Sequence, residues 1–167
     1  MQIYFLDRDP EICAQYHPDR QMISQIKESV QLLCTACRHV GIRQGYKIVV
    51  HNTFLNNWLL QSYTHWEWLR ELTYELEKER RFRFSDKKNS KPKHMSIEVI
   101  ERMPEPKAIP DLGWLNDPPL VMPDQYKMED HVESYRNYLN LHKRHTHQWT
   151  KRERPFFITD TVEGDNN

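Results

Sequence analysis

From Met22 onward the apolar positions recur at steps of three and four: Met22, Ile26, Val30, Leu33 and Cys37. That spacing lays one apolar stripe along an α-helix. The pattern predicts a first helix that starts at Pro10 or Pro18 and runs to Arg38. Pro18 suits a first turn, where its missing N–H needs no partner. At about 100° per residue, Arg20, Ser24, Lys27 and Gln31 fall almost opposite the stripe, and Glu28 lies one step round from them. Ahead of this helix, "MQIYFL" (1–6) is short and β-prone. It reads as a single strand or an extended arm, closed by Pro10.

Further along, Gly41 and Gly45 bracket a turn, and "YKIVVH" (46–51) reads as a short extended piece. Asn52 or Thr53 is placed to cap a second helix, "FLNNWLLQ". Thr64-His65-Trp66-Glu67 fits a capping box. The helix that follows turns Trp66, Leu69, Leu72 and Leu76 inward and ends near Arg83. A short helix is expected from Ser96 to Arg102. Residues 104–123 hold six prolines, too irregular for a repeat, and with Trp114, Leu115, Leu120 and Val121 too apolar for a free linker. An ordered loop wrapped over the core is expected there. A last long helix is read over 129–149, with Val132, Tyr135, Tyr138, Leu139, His142 and Trp149 inward.

Together these elements predict a mainly α fold. It is a compact bundle of four to five helices with a short N-terminal extended segment and a long Pro-rich ordered loop. A single helical domain over 1–158 would be followed by an acidic, flexible C-terminal tail over 159–167.

Composition narrows the picture. A chain of 167 residues is one domain by length. With 38% apolar and 29% charged residues it is polar but not disordered in composition. Five Trp, eight Tyr and six Phe supply much of the core mass, and only four glycines disfavour a turn-rich all-β fold. The charges balance, 24 basic against 24 acidic, which excludes a generic polyanion binder and makes any basic surface local. Three cysteines without a framework of spacings fit a reducing cytosol. No stretch approaches eighteen apolar residues and no charged-then-apolar leader opens the chain, so a soluble, cytoplasmic protein with no membrane partner is expected.

Four places carry candidate chemistry. His142, His145 and His147 crowd into "HKRHTHQW", but no cysteine pair or nearby carboxylate completes a tetrahedral zinc set, so packed or solvated histidines are expected and no metal. Cys34 and Cys37 form a CxxC late in the first helix, away from the N-terminus that would stabilise a thiolate, which favours core packing. Residues 78–93 hold eight Lys or Arg against Glu79 and Asp86. Arg80, Arg81, Arg83, Lys87 and Lys88 there would grip phosphates without reading sequence. Phe82 and Phe84, alternating with the arginines, suit stacking on bases, and a solvated charged face is the alternative. The fourth place is the mouth of the first helix, where Tyr16, His17, Asp19 and Arg20 sit within five residues and Lys27, Glu28 and Gln31 follow. His17, Asp19 and Glu28 are groups suited to proton transfer, and Arg20 and Lys27 to holding a phosphate. The mouth is a chemical site only if other polar groups converge on it. Otherwise it is the wet side of a helix.

Two resemblances add to this reading. On "IYFLDRDPEICAQYHPDR", "LLCTACRHV", "WEWLRELTYELEKERRFRF", "MPDQY" and "SYRNYLNLHKRHTHQWT", the chain resembles a group of small phage-encoded proteins almost end to end. That likeness brings little function with it. On "CAQYH" (13–17), "KESVQ" (27–31) and "YTHWEWLRELTYELEKERRFRF" (63–84), about half the chain, it is similar to the phage pyrimidine-dimer DNA glycosylases of the endonuclease V type. The second resemblance implies a small helical domain that turns a base out of the duplex. A free N-terminal amine then attacks the sugar carbon and forms an imine. Glu28 matches the carboxylate that assists proton transfer, and His17 and Lys27 match DNA-positioning groups. Gln31 stands where that family has an arginine. Gln2 is large, so Met1 is expected to be retained, and its amine becomes the candidate nucleophile.

The leading expectation is therefore a DNA-acting phage protein, a DNA glycosylase or abasic-site lyase on damaged or modified pyrimidines. Glu28, His17, Asp19 and Met1 would do the chemistry. Arg20, Lys27, Gln31, Arg80, Arg81, Arg83, Lys87 and Lys88 would hold the nucleic acid. A monomer without a cofactor is expected. The alternative is a non-catalytic phage accessory protein that binds a host protein or nucleic acid. An enzyme on free nucleotides is a third reading, disfavoured because no Gly-rich phosphate loop is present.

Overall fold

Asp9 begins the first helix. Its carboxylate accepts the backbone N–H of Glu11 at 2.8 Å, and Pro10 follows in the first turn, giving α1 (Pro10–Tyr16). Proline disfavours helical backbone in the residue before it, and His17, just ahead of Pro18, is extended. α2 (Asp19–His39) then starts afresh. The first helical stretch is thus two helices meeting at an elbow, with Pro18 as the start of the second. The computed structural model describes residues 1–49 and 53–160. α3 (Thr53–Gln61), α4 (Tyr63–Phe84), α5 (Met95–Glu101) and α6 (His131–Leu141) follow, with short 3₁₀ turns at Asp124–Tyr126 and Arg144–Thr146. The described residues form six α-helices, one more than the four to five expected, and no strand.

The stripe on α2 is buried along its whole length: Met22, Ile26, Val30, Leu33 and Cys37. It packs on α4, whose Trp66, Leu69, Leu72 and Leu76 are buried as expected, while α1 packs on α4 from the other side of the elbow. Residues 1–6 make no strand. They run as an extended arm with Ile3, Phe5 and Leu6 fully buried, and the Tyr4 backbone N–H donates to Gln25 Oε1 at 3.1 Å. The turn after α2 needs glycine at position 45. There φ is +80° and an added Cβ would lie 2.6 Å from Cys34 Sγ.

The Pro-rich segment is ordered over the core, as its composition implied. Trp58 Nε1 donates to the Asn116 carbonyl at 3.0 Å, Leu115 N–H donates to His65 Nε2 at 3.0 Å, and Tyr135 OH donates to the Pro119 carbonyl at 2.7 Å. Trp114 packs edge-on against Trp58 and Trp68 and stacks on Phe5.

Three local expectations are corrected. α4 begins at Tyr63 after Ser62, and no capping box forms: Thr64 Oγ1 donates to Asp111 at 2.7 Å and Glu67 pairs with Arg70. The last helix is short. It stops at Leu141 because His147 Nε2 donates to the Leu139 carbonyl and Thr146 Oγ1 to the Lys143 carbonyl, local bonds that replace the helical ladder. Trp149 is buried outside any helix, and His142, expected inward, is exposed. The chain is held beyond 158 as well: Thr159 N–H donates to Asn140 Oδ1 at 3.0 Å and Asp160 pairs with Arg154. The rest of the expected tail, 161–167, lies outside the described residues, as do the proposed Asn52 cap and the end of the 46–51 piece.

Candidate functional site

The elbow between α1 and α2 exposes the first turns of α2, and the N-terminal arm and the end of α6 fold against them. The result is a pocket of about 210 Å³ lined by Met1, Gln2, Tyr4, Arg20, Gln21, Ser24, Gln25, Glu28 and Lys143. Polar groups do converge on the mouth of the helix. Glu28 Oε2 lies 3.5 Å from the Gln2 backbone nitrogen, one residue from the Met1 amine. Arg20 and Lys143 bring two further cations. The Tyr4 hydroxyl accepts Gln2 Nε2 at 2.8 Å. Burial, with the neighbouring Tyr138 phenol, pushes the Tyr4 hydroxyl well above its usual range, so it stays a neutral donor.

An aromatic stack backs this pocket. Tyr138 stacks on Tyr4 with ring centroids 6.3 Å apart, His142 stacks on Tyr138 at 5.0 Å, and Lys143 Nζ lies 5.3 Å from the Tyr138 centroid. Sequence reasoning missed Tyr4, Gln21, Gln25 and Lys143. The arm and the histidine-rich stretch were both in view, but nothing in their local pattern says that they meet 139 residues apart at one helix face.

The remaining catalytic candidates lie elsewhere. His17 is fully buried at the elbow and lines no part of the pocket. Its Nδ1 donates to the Cys13 carbonyl at 2.7 Å, and its Nε2 is buried without a partner. Burial pushes its pKa down to about 4, so the ring is neutral. Asp19 is a structural knot: its oxygens accept from Arg83 at 3.0 Å and from the Thr150 amide and hydroxyl at 3.1 and 2.6 Å. Neither is free to move a proton at the pocket, because each is held by the packing of the elbow.

The cations divide in the same way. Arg83 is buried, with Nε on Glu79 at 2.8 Å and its other nitrogens on Asp19 and the Gln15 and His17 carbonyls. Arg80 is a buried fork on Glu77, at 2.7 and 2.9 Å. Burial alone would raise the Glu77 carboxyl, but the hydrogen bonds from Arg80 and the His94 backbone outweigh it and hold the carboxyl below its usual range. The phosphate grip read for Arg80 and Arg83 is therefore corrected, since both guanidiniums are spent on internal carboxylates. Arg81 is half-exposed and shares Glu77 at 3.2 Å. Lys27 is exposed and Gln31 half-buried, and neither lines the pocket. Lys87 and Lys88 are exposed on the loop after α4.

Arg20 also borders a second hollow of about 420 Å³, with Asp19, Ile23, Phe84, Lys87, His145, Thr146, His147 and Gln148. Ile23, Phe84 and Lys87 carry on into a third, of about 430 Å³. The three make one track around the first turns of α2, with Arg20, Lys143, Lys87 and Lys91 along it. Phe84 is largely buried and shows only an edge to this track, whereas Phe82 is exposed but lies outside it, with the Arg152 guanidinium 4.3 Å from its centroid.

Cys34 and Cys37 are unpaired thiols in the core, and burial raises both, Cys37 to about 12. Among the described residues no group of three His, Cys, Asp or Glu is arranged to hold a metal ion, and no helix is long and apolar enough to cross a membrane. Comparison with protein-family models, with curated proteins and with solved structures found no match to this chain in any of the three.

Proposed function

We propose that this is a DNA-acting protein, a glycosylase or abasic-site lyase on damaged or modified pyrimidines, working at the Glu28 pocket. The observation that carries the reading is that Glu28 and Met1 line one concave pocket between two cations, with Glu28 Oε2 3.5 Å from the Gln2 nitrogen. Met1 precedes Gln2, so its amine lies within one residue's reach of Glu28 without being ion-paired to it, and an amine and a carboxylate lining one pocket are the minimum for imine chemistry at a sugar carbon. The amine attacks the anomeric carbon, and the glycosidic bond breaks with its electron pair leaving on the base. The departing base takes a proton from water, and Glu28 takes a proton from the substituted nitrogen and passes it to the ring oxygen as the bond from that oxygen to the anomeric carbon breaks, leaving the open-chain protonated imine. Arg20 and Lys143 flank the pocket where the adjoining phosphates would lie. In this reading His17 and Asp19 hold the elbow in shape and do not react.

The test is borohydride trapping of the protein, with a free N-terminus, on abasic and lesion-bearing DNA. A covalent adduct is expected, and mass spectrometry of the trapped peptide distinguishes the Met1 amine from that of Lys143. Glu28→Gln is expected to lower adduct formation by about a hundredfold or more, in the range general acid–base groups contribute, with an unchanged melting temperature. Absence of an adduct on every modified DNA, single-stranded and duplex alike, would refute the reading.

A second reading, a non-catalytic accessory protein on a host protein, is favoured by one observation. Leu112 and Leu115 stand 60% and 50% exposed on the Pro-rich segment while their backbone N–H groups are held by Ser62 and His65, a presentation suited to a protein partner. Under it, a pulldown recovers one stoichiometric partner that Leu115→Ser releases.

A further inference from the structure

The third hollow differs from the Glu28 pocket in chemistry. Its floor is apolar: Ile23 from the outer face of α2, Phe84 from the last turn of α4, and Met95 from the first turn of α5. Ile23 and Met95 are 42% and 63% exposed, so this lining is open to a ligand. The loop after α4 supplies the rim, with the Asn89 amide, the Ser90 hydroxyl and the Lys87 and Lys91 ammonium groups. Lys87 Nζ sits 4.4 Å from the Phe84 centroid, so a cation is held directly against the apolar floor. Arg80 lines the wall with its charge already paired to Glu77, and its guanidinium also holds the Lys91 carbonyl at 3.2 Å, which fixes the loop that carries the rim.

An apolar lining that also carries hydrogen-bonding groups and ammonium groups complements a nucleobase with its phosphate. The base has an apolar face, a polar edge and a neighbouring anion. A wholly apolar ligand would leave Asn89, Ser90 and the lysines unused. The hollow shares Ile23, Phe84 and Lys87 with the second hollow, and that hollow shares Arg20 with the Glu28 pocket.

We propose that the hollow floored by Ile23, Phe84 and Met95 is a base subsite. It receives an unstacked nucleobase of the same strand whose sugar is held at Glu28, with the intervening phosphates on Arg20, Lys87 and Lys91. This rests on the DNA-acting reading and deepens it: the substrate is single-stranded or locally unpaired DNA, because a base kept in a duplex stack cannot reach the floor.

The test compares binding of a short fluorescein-labelled oligothymidylate with a strand of equal length built from tetrahydrofuran abasic units, alongside the adduct assay. The base-bearing strand is expected to bind about tenfold more tightly, the scale of one stacked base. The preference is expected to collapse towards equality in Ile23→Gln and Met95→Gln, whose exposed positions leave the core untouched. The Met95 methyl resonance is expected to move upfield with oligothymidylate and to stay in place with the base-free strand. If the two strands bind equally while the Glu28-dependent adduct still forms, the subsite is overturned and the catalytic reading stands. If the preference is present and lost in the variants while no adduct forms, the subsite stands and the lyase reading falls. If the Met95 methyl moves with an acidic amphipathic peptide and with neither strand, the occupant is a protein segment and the proposal is overturned.

Discussion

Arg83 shows how a charge read as surface becomes the inside of the molecule. Its guanidinium is fully buried yet satisfied by Glu79, Asp19 and two backbone carbonyls, which ties α4 to the elbow. Arg83→Met leaves Asp19 and the Gln15 and His17 carbonyls short of donors, and is expected to cost about 3–5 kcal/mol in urea unfolding. Arg83→Lys is expected to recover little, because one ammonium cannot span four acceptors in a plane. The signal was present in the sequence: Glu79 stands four residues before Arg83, and Glu77 three and four before Arg80 and Arg81, the spacings of helical ion pairs. Which face of the helix is buried, and so which pairs are internal, depends on packing that a charge run does not reveal. His17 makes the pH counterpart. Its folded pKa of about 4 lies below the ordinary value of 6.5, so between those values the unfolded chain binds a proton that the folded chain refuses. Stability is full above pH 6.5 and lost as the pH falls toward 4, by up to about 3 kcal/mol from this residue. The lowered His65 and His94 add to the slope. Urea midpoints at pH 7.5 and pH 5 read the loss, and His17→Asn is expected to flatten it. Equal midpoints in the native protein would refute it.

At the scale of elements, three- and four-residue periodicity located α2 and α4, since each buries one long stripe. The elbow was not read: Pro10 and Pro18 were alternative starts for one helix, whereas each opens a helix of its own. Nor was the end of α6. Its apolar spacing continues to Trp149, but Thr146 and His147 divert the backbone with their own hydrogen bonds. The Pro-rich segment was recognisable as ordered from its apolar content, but its anchor was not. That anchor is Tyr135, whose hydroxyl donates to the Pro119 carbonyl and accepts the Val121 N–H at 3.3 Å. Tyr135→Phe is expected to cost about 1–2 kcal/mol, the scale of a buried hydrogen bond with its partners left unpaired. It is also expected to speed native-state proteolysis between 118 and 123 while leaving cleavage elsewhere unchanged.

Across the whole molecule the charges cancel, yet the track around α2 gathers Arg20, Lys143, Lys87 and Lys91. Binding to single-stranded DNA is therefore expected to weaken with salt through a few contacts on one side. Arg20→Gln and Lys87→Gln should each lower the slope of log affinity against log salt by about 0.7, the value for one released phosphate contact. Lys27→Gln, exposed but off the track, should leave it in place. Titrations at several salt concentrations decide this, and equal effects at all three positions would mean diffuse attraction. Half of the site was visible in the sequence, as Glu28 and Arg20 on one helical face with Met1 as a candidate amine. The other half comes from Tyr4 and Lys143, brought in by the arm and by the end of α6, and no local spacing encodes that closure. The arm has one practical corollary. Because Met1 stands at the lip of the pocket, a purification tag fused ahead of it would turn its amine into an amide and drape foreign chain across the opening. An assay on such a fusion would report an obstructed protein, so affinity handles belong at the opposite terminus.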